Sequence, residues 1–125
     1  MALLNDFYEV ESLDYKEHIS LQFKVTLNKT HDIFKGHFPK FKVTPGVVML
    51  QILKNVLEQQ TQLQLKTEQL SQVKFLNLVE PEKNDVLVFE VALTSEEKKI
   101  NTKTKVTFPD DTLVLKCNAT FVSNL

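Results

Sequence analysis

The sequence predicts an α+β fold in which an antiparallel sheet packs around one buried helix. Apolar and polar residues alternate in several segments, which is typical of half-buried strands. Short polar turns separate these segments in the second half of the chain, so consecutive strands are expected to pair antiparallel. One stretch, residues 46–53, is apolar without alternation and follows helix-start residues.

The predicted strands come from apolar residues at alternate positions. Tyr8 and Val10 indicate a first strand, and residues 21–27 a second. Later strands are predicted over 73–78, 87–93, 100–108 and 113–121, with turns at 81–84, 95–99 and 109–111. The glutamine-rich region 59–72 is predicted to be the solvated end of the helix and its exit loop.

The helix is predicted to start at Pro45, after a Thr44 N-cap, because proline needs no N–H at the first helical position. Residues 47–53 are apolar nearly all round, which predicts a helix wrapped by other structure. Its later turns become polar.

Composition predicts one domain spanning residues 1–125, with 42% hydrophobic and 25% charged residues. A formal net charge of −1 argues against a general nucleic-acid binder. All 15 basic residues are lysines. No stretch approaches the ~20 apolar residues of a membrane span, and no targeting segment is visible at the start. The single cysteine, Cys117, fits a reducing compartment, so we expect a cytoplasmic protein.

Glycine usage indicates the functional segment. The chain has two glycines, Gly36 and Gly46, where about nine would be expected at ~7%. Two of the four prolines, Pro39 and Pro45, fall in the same stretch. A tightly shaped loop over residues 31–39 that leads into a buried helix is therefore predicted. The alternative is a structural crossover with a solvated histidine.

Two short motifs carry a family resemblance. Residues 34–39 read F-K-G-H-F-P, and residues 43–47 read V-T-P-G-V ahead of the helix. Both content and spacing closely resemble the β-hydroxyacyl-acyl-carrier-protein dehydratases of fatty-acid synthesis, of the 3-hydroxymyristoyl and 3-hydroxydecanoyl type. The resemblance implies a hotdog fold, a long antiparallel sheet wrapped around one central helix.

The resemblance also implies a mechanism, the removal of water from a (3R)-3-hydroxyacyl thioester on acyl carrier protein. His37 matches the family's base, which takes the C2 proton. Gly46 matches the residue whose backbone N–H stabilises the thioester oxyanion at a helix start. The family's acid lies five positions later, where this chain has Gln51, an amide that can hold a hydroxyl but cannot give up a proton. Gln51 could equally be a structural polar residue in a relict pocket.

Binding residues follow from the same comparison. We expect an apolar tunnel for the acyl chain, starting at His37 and Gly46. Its predicted lining is Phe34, Phe38, Val47, Val48 and Leu50. Residues 29–42 hold four lysines against one acid, and this segment is expected to attract an acidic carrier protein. The predicted carrier contacts are Lys35, Lys40 and Lys42.

The family pairs its sheets edge to edge, so a homodimer or a higher oligomer of dimers is expected, with His37 facing position 51 of the other subunit. No cofactor is implied, and His18 and His31 lack companions at metal-ligand spacing. Three functions stay open: a dehydratase or dehydratase-like protein, a hotdog acyl thioesterase in which Gln51 positions water, and a non-catalytic carrier-binding subunit of a hetero-oligomer.

Overall fold

The computed structural model describes residues 7–28 and 46–123 of the chain. Within these ranges the chain forms six strands and one helix. The strands are β1 (Tyr8–Lys16), β2 (Ser20–Leu27), β3 (Leu65–Phe75), β4 (Val86–Glu96), β5 (Lys99–Thr107) and β6 (Leu113–Ser123), and helix α1 (Gly46–Thr61) lies between β2 and β3.

The six strands form one antiparallel sheet in the order β1-β2-β4-β5-β6-β3. Strands β1 and β3 are therefore its edges. One face, called the inner face here, carries the apolar side chains of the core and packs against α1; the other, the outer face, is polar. A long antiparallel sheet around one helix is the hotdog fold that the sequence predicted.

The core lies between the helix and the inner face. Phe23 of β2 and Phe89 of β4 are paired in register and stack, with ring centroids 4.5 Å apart and an interplanar angle of 10°. Such offset aromatic pairs contribute beyond their buried area. The helix contributes a face of six buried residues: Val48, Met49, Ile52, Leu53, Val56 and Leu57.

The helix is covered on one side only, which differs from the prediction of an all-round wrapped helix. Val47 is 69% exposed, and Leu50 is partly buried. The buried positions recur at intervals of three and four residues, as expected for a helix against a single sheet. The apolar residues at the start of the helix thus exceed what the sheet of one chain covers.

Strand β3 was mispredicted. It begins at Leu65, so Gln69 and Gln72 belong to a strand and not to a helix exit loop, and it ends at Phe75, before the predicted end at residue 78. Edge strands expose much of both faces, and most positions of β3 are solvent-exposed. The two-residue alternation that identifies a half-buried strand is therefore missing.

Two bulges also break the pattern of β3. The register against β6 shifts between Thr67 and Gln69, and again between Ser71 and Lys74. At the second bulge Gln72 has a positive φ of 51°, a conformation that is uncommon for residues other than glycine. Each bulge places one extra residue on β3, so the side chains that follow change faces.

Helix α1 has 16 residues. At 1.5 Å per residue it is shorter than the ~30 Å hydrocarbon core of a bilayer, and the described residues contain no helix able to cross a membrane.

Candidate functional site

The candidate site begins at the first residue of α1. Gly46 starts the helix, where the first backbone N–H groups have no intrahelical acceptor. The ring of Phe75, from the end of β3, lies directly on Gly46, so closely that a Cβ atom at position 46 would overlap it. The close approach of the Phe75 ring therefore requires a glycine at position 46. The ring of Phe75 is 56% exposed, so it covers Gly46 from the solvent side of the sheet edge.

The second element of the site is a row of polar side chains along the helix. Gln51 donates from Nε2 to Oδ1 of Asn55 at 2.9 Å, one turn further on. Asn55 is also hydrogen-bonded to the hydroxyl of Tyr8, at the start of edge strand β1. Burial raises the pKa of Tyr8 above its usual value, and the hydrogen bond with Asn55 opposes that rise. Tyr8 therefore stays neutral at physiological pH.

The direction of these hydrogen bonds determines what Gln51 can offer a ligand. One of the two N–H groups of its Nε2 is engaged by Asn55, which leaves the second N–H and Oε1, an acceptor with two lone pairs, for a further partner. Gln51 is suited to receive a hydrogen bond from a hydroxyl group or a water molecule. Its amide is also oriented before any ligand arrives.

Glu58, the remaining polar residue on this side of the helix, has a structural role. Its Oε2 accepts from the backbone N–H of Leu65 at 2.9 Å, which ties the last turns of α1 to the start of β3. A hydrogen bond to a charged acceptor is stronger than a neutral one. Glu58 is therefore engaged away from Gly46.

Several predicted site residues lie outside the described residues: His37, Phe34, Phe38, Lys35, Lys40 and Lys42. Their roles remain predictions, as does the tunnel that was expected to start at His37. Of the predicted acyl-chain residues on the helix, Val48 is buried in the core, Leu50 is partly buried and Val47 is exposed. The described structure brings Gly46 and Gln51 onto one helix.

Sequence reasoning missed Tyr8 and Phe75. Tyr8 reaches Asn55 across 47 positions of the chain, and Phe75 reaches Gly46 across 29. Neither residue belongs to the two motifs, and only the sheet order brings them to the helix. For Phe75, one sequence signal existed, since Gly46 is one of only two glycines and needed a neighbour that approaches closely.

An apolar strip follows the β3 edge beside this site. Phe75 and Leu70 of β3, Leu76 and Leu78 just after it, and Val47 at the helix start are all large apolar residues with more than a third of their surface exposed. Contiguous exposed apolar surface marks an interaction site more often than scattered residues do. The strip lies where the covering of α1 is incomplete. The described residues contain no cluster of three or more potential metal ligands.

The chain resembles several solved structures closely in fold but distantly in sequence. A chain of the dehydratase heterocomplex ApeI:P from Xenorhabdus doucetiae superposes with a TM-score of 0.73 at 15% identity, over 91% of this chain and 96% of that one. A hypothetical thioesterase from Streptococcus pneumoniae TIGR4, solved with coenzyme A, gives a TM-score of 0.68 at 13% identity, over 97% and 90% of the two chains. At these identities the likeness establishes the hotdog fold alone.

A third structure, smu.793 from Streptococcus mutans UA159 bound to acetyl CoA, has a TM-score of 0.67 at 12% identity, with 93% of this chain and 89% of that one covered. No curated protein sequence matches the chain. The family model of the ApeI-like proteins, described as ApeI dehydratase, matches residues 13–113, which is most of the chain. The protein therefore belongs to the ApeI-like dehydratase family, on a fold that it has in common with thioesterases.

Proposed function

We propose that the protein acts on 3-hydroxyacyl thioesters of acyl carrier protein, as a (3R)-3-hydroxyacyl-ACP dehydratase or a dehydratase-like protein of fatty-acid or related lipid synthesis. The observation that carries the proposal is the arrangement of α1. Gly46 occupies its first position, and Gln51 follows with a side chain already oriented by Asn55. Membership of the ApeI-like family supports the reaction class.

In this proposal His37 is the base that removes the C2 proton of the substrate. The thioester oxygen gains negative charge as the proton leaves, and the N–H of Gly46 with the positive end of the helix dipole stabilises it. Oε1 of Gln51 accepts a hydrogen bond from the 3-hydroxyl and holds it in place. Since an amide cannot give up a proton, the departing hydroxyl takes its proton from protonated His37 or from water.

Assays of the purified protein with 3-hydroxyacyl, enoyl and saturated acyl thioesters test the reaction class. Loss of water from the 3-hydroxyacyl thioester, or addition of water to the enoyl thioester, supports the dehydratase proposal. His37→Ala should abolish this activity. Gln51→Glu restores an acid at nearly constant shape and should raise the rate by about 10²-fold, because general acid assistance is typically worth ~10²–10⁴. A partly buried carboxyl raises its own pKa, which keeps it protonated for that task.

The matched control is Gln59→Glu, the same substitution at an exposed position of the same helix. It should leave the rate unchanged. A wild-type protein that is already fast and is insensitive to Gln51→Glu would contradict the role given to position 51. Binding without turnover in all variants would favour the non-catalytic subunit.

A thioesterase is the second candidate, and one observation favours it. With one N–H of Nε2 engaged by Asn55, Gln51 presents an oriented oxygen acceptor and no acidic proton, which suits holding a water molecule against a thioester carbonyl. Neighbours in fold include proteins described as thioesterases. Release of free acid from saturated acyl thioesters, without hydration of enoyl thioesters, would decide for this function.

The proposed assembly is a homodimer, or a higher oligomer of dimers, formed through the exposed edge β3. An unpaired edge strand beside an apolar strip is surface that a folded protein normally covers. In such a dimer His37 would face Gln51 of the other subunit. The related complex from Xenorhabdus doucetiae is a heterocomplex, so a mixed pair with a related subunit is the alternative arrangement.

Lys35, Lys40 and Lys42 are proposed to receive the acidic carrier protein near the thioester entrance. We place the reaction in the cytoplasm, since the single cysteine, Cys117, is a free thiol buried in the core.

A further inference from the structure

The outer face of the sheet carries a row of lysines across three adjacent strands. Lys105 of β5 pairs in register with Lys116 of β6, which pairs in register with Lys74 of β3. Lys103 lies two residues from Lys105 on the same face and borders the same shallow depression of 320 Å³. Lys74, Lys103, Lys105 and Lys116 are all exposed and are called the outer lysine cluster here.

The second bulge of β3 is what brings Lys74 into this row. Ser71 is paired with Asn118, so an uninterrupted ladder would place Val73 opposite Lys116 and turn Lys74 to the inner face. The extra residue of the bulge instead places Lys74 opposite Lys116 and directs it to the outer face. Gln72 takes up the positive φ, and its Oε1 accepts from Nδ2 of Asn118 at 3.3 Å. An uncommon backbone conformation thus aligns a third lysine with two others.

Such a row opposes stability, because like charges directly opposite each other on neighbouring strands repel. One acid offsets it: Glu90 of β4 lies 3.3 Å from Nζ of Lys105. Within the described part of the chain, Lys74, Lys103 and Lys116 have no ion-pair partner. One glutamate against four lysines leaves a local net charge of +3 in a protein whose overall charge is −1.

Apart from Glu90, and from Glu68 and Glu96 beside Lys99, the acids on the strands of this face lie at the opposite edge. Glu9 and Asp14 of β1 point outward, as does Glu11, whose Oε1 accepts from the hydroxyl of Thr26. At ~4.8 Å per strand, about three to five strand spacings separate them from the cluster, a distance well beyond the Debye length of ~8 Å at physiological salt. The charge on the outer face is therefore segregated.

We propose that the outer lysine cluster is a docking surface for an acidic helix of a partner protein. The row spans two strand spacings, about 10 Å, and Lys103 adds about 7 Å along the strand. Carboxylates at positions i, i+4 and i+7 of a helix extend over about 10 Å and match the row. Charge complementarity of this kind gives salt-sensitive, fast association.

The chemistry of the cluster disfavours other occupants. It contains no aromatic side chain on which a base could stack and no arginine to grip phosphate in a bidentate manner. The strands β5 and β6 are paired on both sides, so their backbone N–H groups are used in the ladders and these two strands offer no amide nest to a free phosphate. Gly46 and Gln51 lie on α1, on the inner side of the sheet, so a protein docked on the outer face would leave the thioester site open.

Fluorescence anisotropy can test this with two synthetic helical peptides of equal charge. One presents four glutamates on a single face at i, i+4 spacing, and the other distributes them around the helix. The test variant is Lys103→Gln/Lys116→Gln. The matched control is Lys24→Gln/Lys66→Gln, which removes the same charge from exposed positions of the outer face outside the cluster.

The one-faced peptide should bind the wild type more tightly than the distributed peptide, and binding should weaken steeply as salt is raised. The test variant should lose about tenfold in affinity, at about threefold per lysine for charges ~6 Å apart in a high dielectric. The control should lose less than about twofold. The thermal midpoint of the test variant should not fall, because repulsion within the row is relieved.

Equal losses in the test and control variants, equal affinity for both peptides, or no binding would overturn the proposal. Tighter binding of single-stranded DNA or tripolyphosphate to the same lysines would also overturn it, in favour of a nucleic acid or a phosphate ligand. Concentration-dependent self-association that disappears in the test variant would assign the surface to the acidic β1 strand of a second copy instead.

Discussion

Gly46→Ala should destabilise the protein, although alanine is the better helix former. The new Cβ would overlap the ring of Phe75, so the ring must leave its place over the helix start. This perturbation tests the closest contact of the candidate site without touching the residues outside the described ranges.

The magnitude follows from the exposure of the ring. Phe75 is 56% exposed, so its buried part contributes about 1 kcal/mol of the ~1.5–3 kcal/mol of a fully buried phenylalanine. A displaced ring held off its preferred rotamer adds about 1 kcal/mol. The higher helix propensity of alanine raises the free energy of unfolding by about 0.5 kcal/mol in the first turn, which is part of its ~1 kcal/mol advantage over glycine in a helix. The net loss of unfolding free energy is about 1.5 kcal/mol, or roughly 5 °C in the thermal midpoint for a domain of this size.

A double-mutant cycle with Phe75→Ala isolates the contact. Once the ring is absent, Gly46→Ala should stabilise the protein by about 0.5 kcal/mol, so the substitution changes sign between the two backgrounds. Thermal and urea unfolding of the four proteins measure the coupling, which should be about 2 kcal/mol.

The reasoning fails if Gly46→Ala has the same effect with and without the Phe75 ring. Additive effects would mean that the ring does not rest on the helix start. If the stabilities follow the cycle but thioester turnover is unchanged in Gly46→Ala, then the contact exists and the place of the Phe75 ring over Gly46 is not needed for turnover.

The other predictions concern the polar row, pH and assembly. Asn55→Leu should release the side-chain amide of Gln51 and reduce turnover by about tenfold. The side-chain amide NMR signals of Gln51 should then move to the position of a freely rotating, solvent-exposed glutamine, and signals that stay distinct and protected from exchange would contradict this. Burial raises the pKa values of Cys117 and Tyr8 above their usual 9.0 and 10.0, so the unfolded chain loses these protons first; the contribution of these two groups to stability should be constant from neutral pH to about pH 8.5, then fall as pH rises. Cys117→Ala should remove the part of this fall that begins near pH 9, as followed by urea midpoints, whereas an unchanged profile would exclude the thiol as its cause. Leu70→Lys at the β3 edge should convert a dimer to monomer by light scattering at micromolar concentration, and a wild type that is already a monomer would refute the assembly.

Much of the fold could be predicted because most strands have one buried and one solvated face. Strands β2 and β4 alternate, as do β5 and β6 apart from one end of each, and the helix was predicted from its apolar run after Thr44-Pro45-Gly46, of which Thr44 and Pro45 lie outside the described residues. Strand β3 was not predicted correctly because it is an edge strand with two bulges, so the alternation of inward and outward side chains along it is interrupted twice. Its glutamines were therefore assigned to a loop.

The candidate site was predictable only in its local part. Position 51 lies five residues after Gly46 on the same helix, so spacing alone placed both. The partners that orient or cover them, Tyr8 and Phe75, come from the two edge strands, and their approach depends on a sheet order that periodicity does not determine. The orientation of the Gln51 amide also depends on such a distant contact, because Asn55 binds both Gln51 and Tyr8.

The second bulge of β3 restricts how this strand can vary in length among related sequences. Deleting one residue at Gln72 or Val73 would restore a regular ladder and keep Lys74 opposite Lys116 and Phe75 opposite Leu115, because the bulge sets two residues of β3 against one of β6. Removing both residues would instead turn Lys74 inward and swing Phe75 away from Gly46, which would remove a lysine from one face and the aromatic cover from the other. A sequence alignment that opens a one-residue gap at positions 72–73 therefore still pairs side chains of the same face, whereas a one-residue gap in the regular part of β3 would pair side chains of opposite faces.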